Sequence, residues 1–191
     1  MKAALPCLCA FALAAAGAAD AAAPVTEQSI VAGSQREFAD VRVAFTPGDN
    51  IAAIIIEEIR AARSSIRVQA YLFTSTSIAN ALINALKRGV KVDVIADATE
   101  YENGNAPVLS RLSQAGAGIY LNSMHKSSHN KIVIVDAGMQ RATVITGSYN
   151  FTRAAQTQNA ENVVVLSGNA AVTQRFYKNW EFHRTRSTLL H

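Results

Sequence analysis

From residue 41 onward the apolar positions alternate between two periods. Val41-Arg42-Val43-Ala44-Phe45 reads as a strand, and Thr46-Pro47-Gly48-Asp49-Asn50 as a turn ending in a helix N-cap. Ile51, Ile55 and Ile59 then recur at four-residue steps with Ile54 beside them, which predicts a helix. Ile66 to Phe73 is the next strand. A second helix follows from about Ser77, with Ile78, Leu82 and Leu86 on one face and Gly89 placed to end it. Val90 to Ala96 is a third strand. Asn105 to Gln114 is a short helix with Pro107 in its first turn, and Gly118 to Leu121 a short strand. In the second half, Lys131 to Val135, Thr143 to Thr146 and Asn162 to Leu166 read as strands. Ala170 to Arg186 is helical, with Val172, Phe176, Trp180 and His183 at three- and four-residue steps. The alternation predicts an α/β fold: a mixed, mostly parallel β-sheet flanked by helices on both faces, built as one domain over residues 22–191.

The first 21 residues follow a different pattern. Lys2 precedes an uncharged apolar run from Ala3 to Ala16, and small residues follow at Ala19-Asp20-Ala21. This is the pattern of a secretory signal peptide, too short for a comfortable membrane span. Export is therefore expected, with no stable membrane insertion of the mature chain. Both cysteines, Cys7 and Cys9, fall inside this segment, so thiol catalysis and cysteine-ligated zinc are not expected after its removal. The chain carries a net charge of +4, compatible with a polyanionic partner. It has no Gly-rich phosphate loop, H-E-x-x-H or EF-hand pattern, so no metal or other cofactor is expected.

The candidate chemistry is concentrated between residues 128 and 161. Ser128-His129-Asn130-Lys131-Ile132-Val133-Ile134-Val135-Asp136 holds H-x-K-x4-D; Gly147-Ser148-Tyr149-Asn150 follows, then Glu161. On extended backbone His129 and Lys131 point to the same side, and the strand from Thr143 can return antiparallel to bring Ser148 and Asn150 beside them. Cleaving a phosphodiester needs a nucleophile, charge neutralisation on the non-bridging oxygens and a proton for the leaving oxygen. A neutral imidazole, His129, can be the nucleophile. Lys131 and the Asn150 amide can hold phosphoryl oxygens, and Glu161 can fix the histidine tautomer. A leaving-group acid is missing, because only His129 among His125, His129, His183 and His191 is followed by x-Lys. A two-fold axis through the site would supply His129 twice, which predicts a homodimer.

Residues 129 to 161 resemble the HKD motif of the phospholipase D superfamily, H-x-K-x4-D followed by G-S-x-N and a later glutamate. Chance occurrence of the first element alone is on the order of 0.004 per chain of this composition. In size and element order the mature chain is similar to the small single-motif bacterial endonucleases of that superfamily, most closely over Thr146 to Val165. The resemblance implies a phosphohistidine intermediate, a homodimer sharing one active site without a metal, and export across an inner membrane into a periplasm. It also implies His129 as nucleophile on one subunit and acid on the other, Lys131 and Asn150 on phosphate, Glu161 orienting the histidine, Ser148 in the pocket and Asp136 in structural support. The interval from Asp136 to Gly147 is longer than the family's usual one, and Ala137 to Ala142 reads as a lengthened hairpin turn.

Three functions fit this chemistry. The first is sequence-nonspecific cleavage of DNA, and of RNA as a further substrate, for which modest positive charge suffices. The second is hydrolysis of phospholipid headgroups, which calls for an exposed apolar surface. The third is nucleic-acid binding with a vestigial site, against which the intact His129, Lys131 and Asn150 speak. Phe176, Trp180 and His183 read as core or interface residues. Arg175, Lys178, Arg184 and Arg186 read equally as a phosphate-facing patch or a solvated helix face. His125-Lys126 reads as a solvated loop.

Overall fold

The computed structural model describes Met1 and residues 40–190. The signal segment, Cys7, Cys9, the lead-in up to residue 39 and His191 lie outside the described residues. The strands are β1 (Asp40–Thr46), β2 (Ser65–Ala70), β3 (Lys91–Asp97), β4 (Gly118–Asn122), β5 (Ile132–Val135), β6 (Thr143–Gly147), β7 (Glu161–Ser167) and β8 (Thr188–Leu189). The helices are α1 (Ile51–Ala61), α2 (Thr76–Lys87), α3 (Ala98–Glu102), α4 (Val108–Gln114), α5 (Arg153–Thr157) and α6 (Ala170–Arg184). All eight strands form one sheet in the order β1-β7-β6-β5-β2-β3-β4-β8.

Local chemistry accounts for the element ends. The Asn50 side chain accepts from Ala53 N at 3.0 Å to cap α1, and Ser75 caps α2 through Ile78 N. Period-2 burial splits the sheet into two apolar faces. Ile66, Val68, Val92, Val94, Val133, Val135, Ile145, Val163 and Val165 meet Ile51, Ile55 and Ile59 of α1, Ile78 and Leu82 of α2, and Leu109 and Leu112 of α4. On the other face Ile95, Ile132, Ile134 and Val144 meet Trp180 of α6, whose Nε1 donates to Val68 O at 2.9 Å. The amphipathic stripe of the last helix thus marks the second face of the sheet. β1 turns Ala44 and Thr46 inward and leaves Val41, Val43 and Phe45 half exposed.

The mixed sheet with helices on both faces matches the expectation, but its parallel share is smaller than "mostly parallel". Only β2–β3 and β3–β4 pair in parallel, and the other five pairings are antiparallel. Crossover helices enforce parallel pairing only between neighbouring strands, here α2 and the α3–α4 pair. A continuous apolar run such as Ile132–Val135 reads alike in either direction. The short helices α3 and α5 and the edge strand β8 were not legible in the pattern. Pro107 occupies the N-cap position of α4 rather than its first turn, and Lys131 precedes β5 instead of opening it.

Asp136 follows β5 with φ 51° and starts the turn into β6. Its carboxylate accepts three backbone N–H groups, from Arg63 at 2.9 Å, Ser64 at 2.7 Å and Ser65 at 3.0 Å, and so ties the β5–β6 hairpin to the start of β2. His129 lies before the other end of the same strand, on the order of 20 Å away. Asp136 therefore works on the fold, at the end of the sheet away from the imidazole. Replacing Asp136 by Ala leaves three donors to compete for water in a buried site and puts a Cβ residue without a local hydrogen bond at positive φ; a loss of about 3 kcal/mol is expected. Urea denaturation followed by circular dichroism measures it, with Asp136→Asn, which tolerates the conformation and keeps one acceptor, losing less.

Candidate active site

β1, β2, β3 and β6 end at the sheet edge where β5 and β7 begin. Ile132 pairs with Gln69 on one side and Thr146 on the other, Gly147 pairs with Val163, and Thr46 pairs with Glu161. The loops after parallel strands collect chemistry at such an edge because the sheet below is rigid and the loops above are free to vary. This register brings the loop carrying His129 and Lys131, the loop carrying Ser148 and Asn150, and Glu161 to one place.

Lys131 is 7% exposed. Its Nζ lies 2.9 Å from His129 Nδ1 and donates to His129 O at 2.6 Å. Burial pushes the ammonium down to about 8, against the opposing pull of the Glu161 carboxylate. The Tyr71 ring packs on both groups: its centroid is 4.3 Å from that of the His129 ring and 4.9 Å from Lys131 Nζ.

Gly147 has no room for a side chain, since a Cβ there would overlap the backbone carbonyl of Asn162. That close approach lets Ser148 N donate to Asn162 O at 3.1 Å while Ser148 Oγ accepts from Asn162 N at 3.1 Å and donates to Glu161. Asn150 is held between two buried aromatics, Tyr149 and Phe151. Phe151 N donates to Leu72 O and Phe151 O accepts from Thr74 N, which tethers this loop to the chain leaving β2. The Asn150 Oδ1 atom is buried without a hydrogen-bond partner, a cost that a bound ligand can relieve.

The Glu161 carboxylate accepts from Ser148 Oγ and from Asn159 Nδ2 at 2.9 Å; no hydrogen bond joins it to His129 among the described residues. Of the other histidines, His125 and His183 face each other with ring centroids 5.5 Å apart. His183 is buried, and that burial, with His125 and Arg186 nearby, depresses its pKa. In the C-terminal basic segment Arg184 pairs with Glu181 at 2.8 Å and Arg186 stacks on Phe182 at 3.9 Å. Tyr71, Asp97 and Glu100 were missed by sequence reasoning. Asp97 Oδ2 accepts from Ser128 N at 2.6 Å, fixing the loop before His129, and Asp97 Oδ1 caps α3 through Glu100 N. The signal was present as an acid three residues after a strand-ending Asp, a capping-box spacing.

An α/β sheet edge that presents an imidazole, a desolvated ammonium and a carboxamide together is suited to attack on a phosphoryl group. The family model described as "Cardiolipin synthase, PLD-like domain" matches residues 55–183. The chain is 34% identical over 158 residues to a Rickettsia prowazekii protein named phospholipase D, covering 83% of this chain and 74% of that one. It is 29% identical over 154 residues to a mitochondrial cardiolipin hydrolase of Canis lupus familiaris, covering 78% and 59%. Among solved structures, Nuc from Salmonella typhimurium, a phospholipase D family member, aligns with a TM-score of 0.72 at 32% identity over 80% of this chain and 98% of that one. The chain belongs to the phospholipase D superfamily.

The depressed Lys131 pKa has a measurable sign. The ammonium is charged below about pH 8 and loses its proton above it, so a ¹³Cε-lysine NMR titration is expected to show the Lys131 signal turning near pH 8. Glu161 favours the charged form, so in Glu161→Gln that titration moves to lower pH.

Proposed function

We propose that this protein is a phosphodiesterase that hydrolyses nucleic-acid phosphodiester bonds as a sequence-nonspecific endonuclease, through a phosphohistidine on His129, in a homodimer whose two copies share one active site. The observation that carries the reading is the convergence of one imidazole, one desolvated ammonium and one carboxamide at the sheet edge, with no second imidazole beside them among the described residues. His125 and His183 contact each other instead.

At rest the Lys131 ammonium, which can only donate, takes His129 Nδ1 as its acceptor. A phosphodiester draws the ammonium to its non-bridging oxygens, together with the Asn150 amide. Nδ1 is then free to carry the ring proton, and Nε2 is free to attack phosphorus. Glu161 fixes that tautomer either by exchanging Asn159 for the imidazole or by meeting the imidazole of the second copy. As the bond from Nε2 to phosphorus forms, the ester bond breaks, and His129 of the partner subunit, carrying a second ring proton taken from solvent, gives that proton to the leaving oxygen. The partner's imidazole, now neutral, takes a proton from water, which cleaves the phosphohistidine and restores both rings. Lys131 supplies the positive charge that a metal would otherwise supply, so the scheme calls for no cofactor.

The half-exposed Val41, Val43 and Phe45 of β1 offer an apolar face for the second copy. The net charge of +4 favours DNA, and RNA as a further substrate. Export through the signal segment, residues 1–21, to the periplasm completes the reading, and cell fractionation tests it. Phospholipid headgroup hydrolysis is the second reading, favoured by relatives named phospholipase D and mitochondrial cardiolipin hydrolase. No helix among the described residues is long and apolar enough to cross a membrane.

Incubation with plasmid in EDTA is the test. Cleavage is expected to persist, and His129→Ala is expected to lower it at least about a thousandfold. Intact plasmid with headgroup release from vesicles would favour the second reading. In light scattering the protein is expected to be a dimer. Val43→Asp is expected to shift it to monomer and to abolish turnover while the circular dichroism spectrum stays unchanged. A fully active monomer would contradict the shared site.

A further inference from the structure

Tyr71 takes no part in the proposed phosphoryl transfer, yet its ring lies against both His129 and Lys131. Tyr71 follows Ala70, the last residue of β2, and its ring meets the His129 ring at 4.3 Å with a tilt of 43° and the Lys131 ammonium at 4.9 Å. The phenol is held in turn. Its OH donates to Glu100 Oε1 at 3.0 Å, and Glu100 Oε2 accepts from Asn105 Nδ2 at 2.6 Å. Asn105 O accepts from Phe73 N at 3.1 Å, which closes the bracket back onto the chain leaving β2. The same helix, α3, is capped by Asp97, which also holds Ser128 N. One five-residue helix therefore fixes the site from two directions, through the loop that carries His129 and through the ring beneath it.

We propose that Tyr71 is a positioning residue of the active site: its ring holds the Lys131 ammonium and the His129 imidazole in register, and Glu100 holds the ring. The proposal rests on the reading of His129 and Lys131 as the reacting groups. The physical basis is the negative face of the aromatic ring, which favours a cation above it. Lys131 is such a cation at rest, and His129 becomes one when it carries both a proton and the phosphoryl group. A ring that serves both stabilises positive charge where the reaction develops it, and does so without a charge of its own that would compete for the phosphate.

Substitutions separate the ring from the hydroxyl and from simple bulk. Tyr71→Phe keeps the aromatic face and loses only the bond to Glu100. Tyr71→Leu keeps apolar volume beside Lys131 but removes the face, and Tyr71→Met is a second variant of that kind should Leu fold poorly. The other charged or titratable groups against Lys131 are His129 on its own loop and Glu161 at the start of β7, both unchanged in these variants.

The experiment is a ¹³Cε-lysine NMR titration of the dimeric protein, paired with kinetics on bis(4-nitrophenyl) phosphate, a phosphodiester free of any nucleic-acid or lipid preference. In Tyr71→Phe the ring remains but its tether to Glu100 is gone, so Lys131 is expected to titrate as in wild type while kcat falls about tenfold, less than in the variants without a ring. In Tyr71→Leu and Tyr71→Met, Lys131 is expected to titrate about half a pH unit lower, because the cation loses its aromatic partner. kcat is expected to fall about a hundredfold, more than KM changes, because the nucleophile is no longer held in line. Wild-type titration or wild-type kcat in the Leu and Met variants would overturn the proposal. Wild-type protein that turns over no phosphodiester, while the Lys131 titration still moves in Tyr71→Leu, would count against the phosphodiesterase reading and for the ring's hold on the lysine.

Discussion

The site depends on keeping one ammonium out of water beside one imidazole. Lys131 is almost fully buried at the sheet edge, with its Nζ 2.9 Å from His129 Nδ1 and a ring face 4.9 Å away. Taking a charge out of water is costly, and the cost shows as a lysine whose pKa falls to about 8. The structure around it reads as the means of sustaining that state. Glu161 supplies the opposing charge, and Ser148 and Asn159 hold Glu161 in place. Ser148 is in turn fixed because Gly147 lets β6 and β7 approach closely enough for its backbone and hydroxyl to bond Asn162. A lysine held this way interacts more strongly with an incoming phosphate than one in solvent, since little water is left to screen it.

The fold separates support from chemistry along β5. At one end Asp136 ties the hairpin to β2 with three backbone bonds, and at the other His129 and Lys131 enter the site. Between them lie four buried residues, alternately facing α1–α2 and α6. A strand packed on both faces and paired on both edges has little freedom to shift, so the two halves of the H-x-K-x4-D motif act as anchor and working end of one rigid element. The spacing of the motif is the length of that strand.

How much of this was legible in the sequence follows from the range of each interaction. The strand–helix alternation and the two-faced sheet were visible because burial imposes a period on each element, and residues 129–161 stood out because their chemistry is crowded into a short stretch of sequence. The direction of strand pairing was hidden, since Ile132–Val135 is apolar throughout whichever way its neighbours run. α3 was hidden because a five-residue helix has too few turns to show a stripe, although Asp97 and Glu100 carried its cap. Tyr71 was hidden for a different reason. At the end of an apolar strand it reads as one more core aromatic, and its part depends on His129, 58 positions later in the chain. The present partners of Glu161 could not be read from spacing either, because Ser148 and Asn159 are polar residues in loops whose geometry only the sheet register sets.

The phosphodiesterase reading turns on whether the imidazole at position 129 becomes covalently bonded to phosphorus. Its most direct test is rapid acid-free quenching of the protein during turnover of a phosphodiester, followed by mass spectrometry under alkaline conditions that preserve phosphoramidate bonds. An acid-labile phosphoryl adduct on His129 that forms and decays within the turnover time is expected. An adduct on any other residue, or steady turnover with no adduct on the enzyme, would contradict that reading.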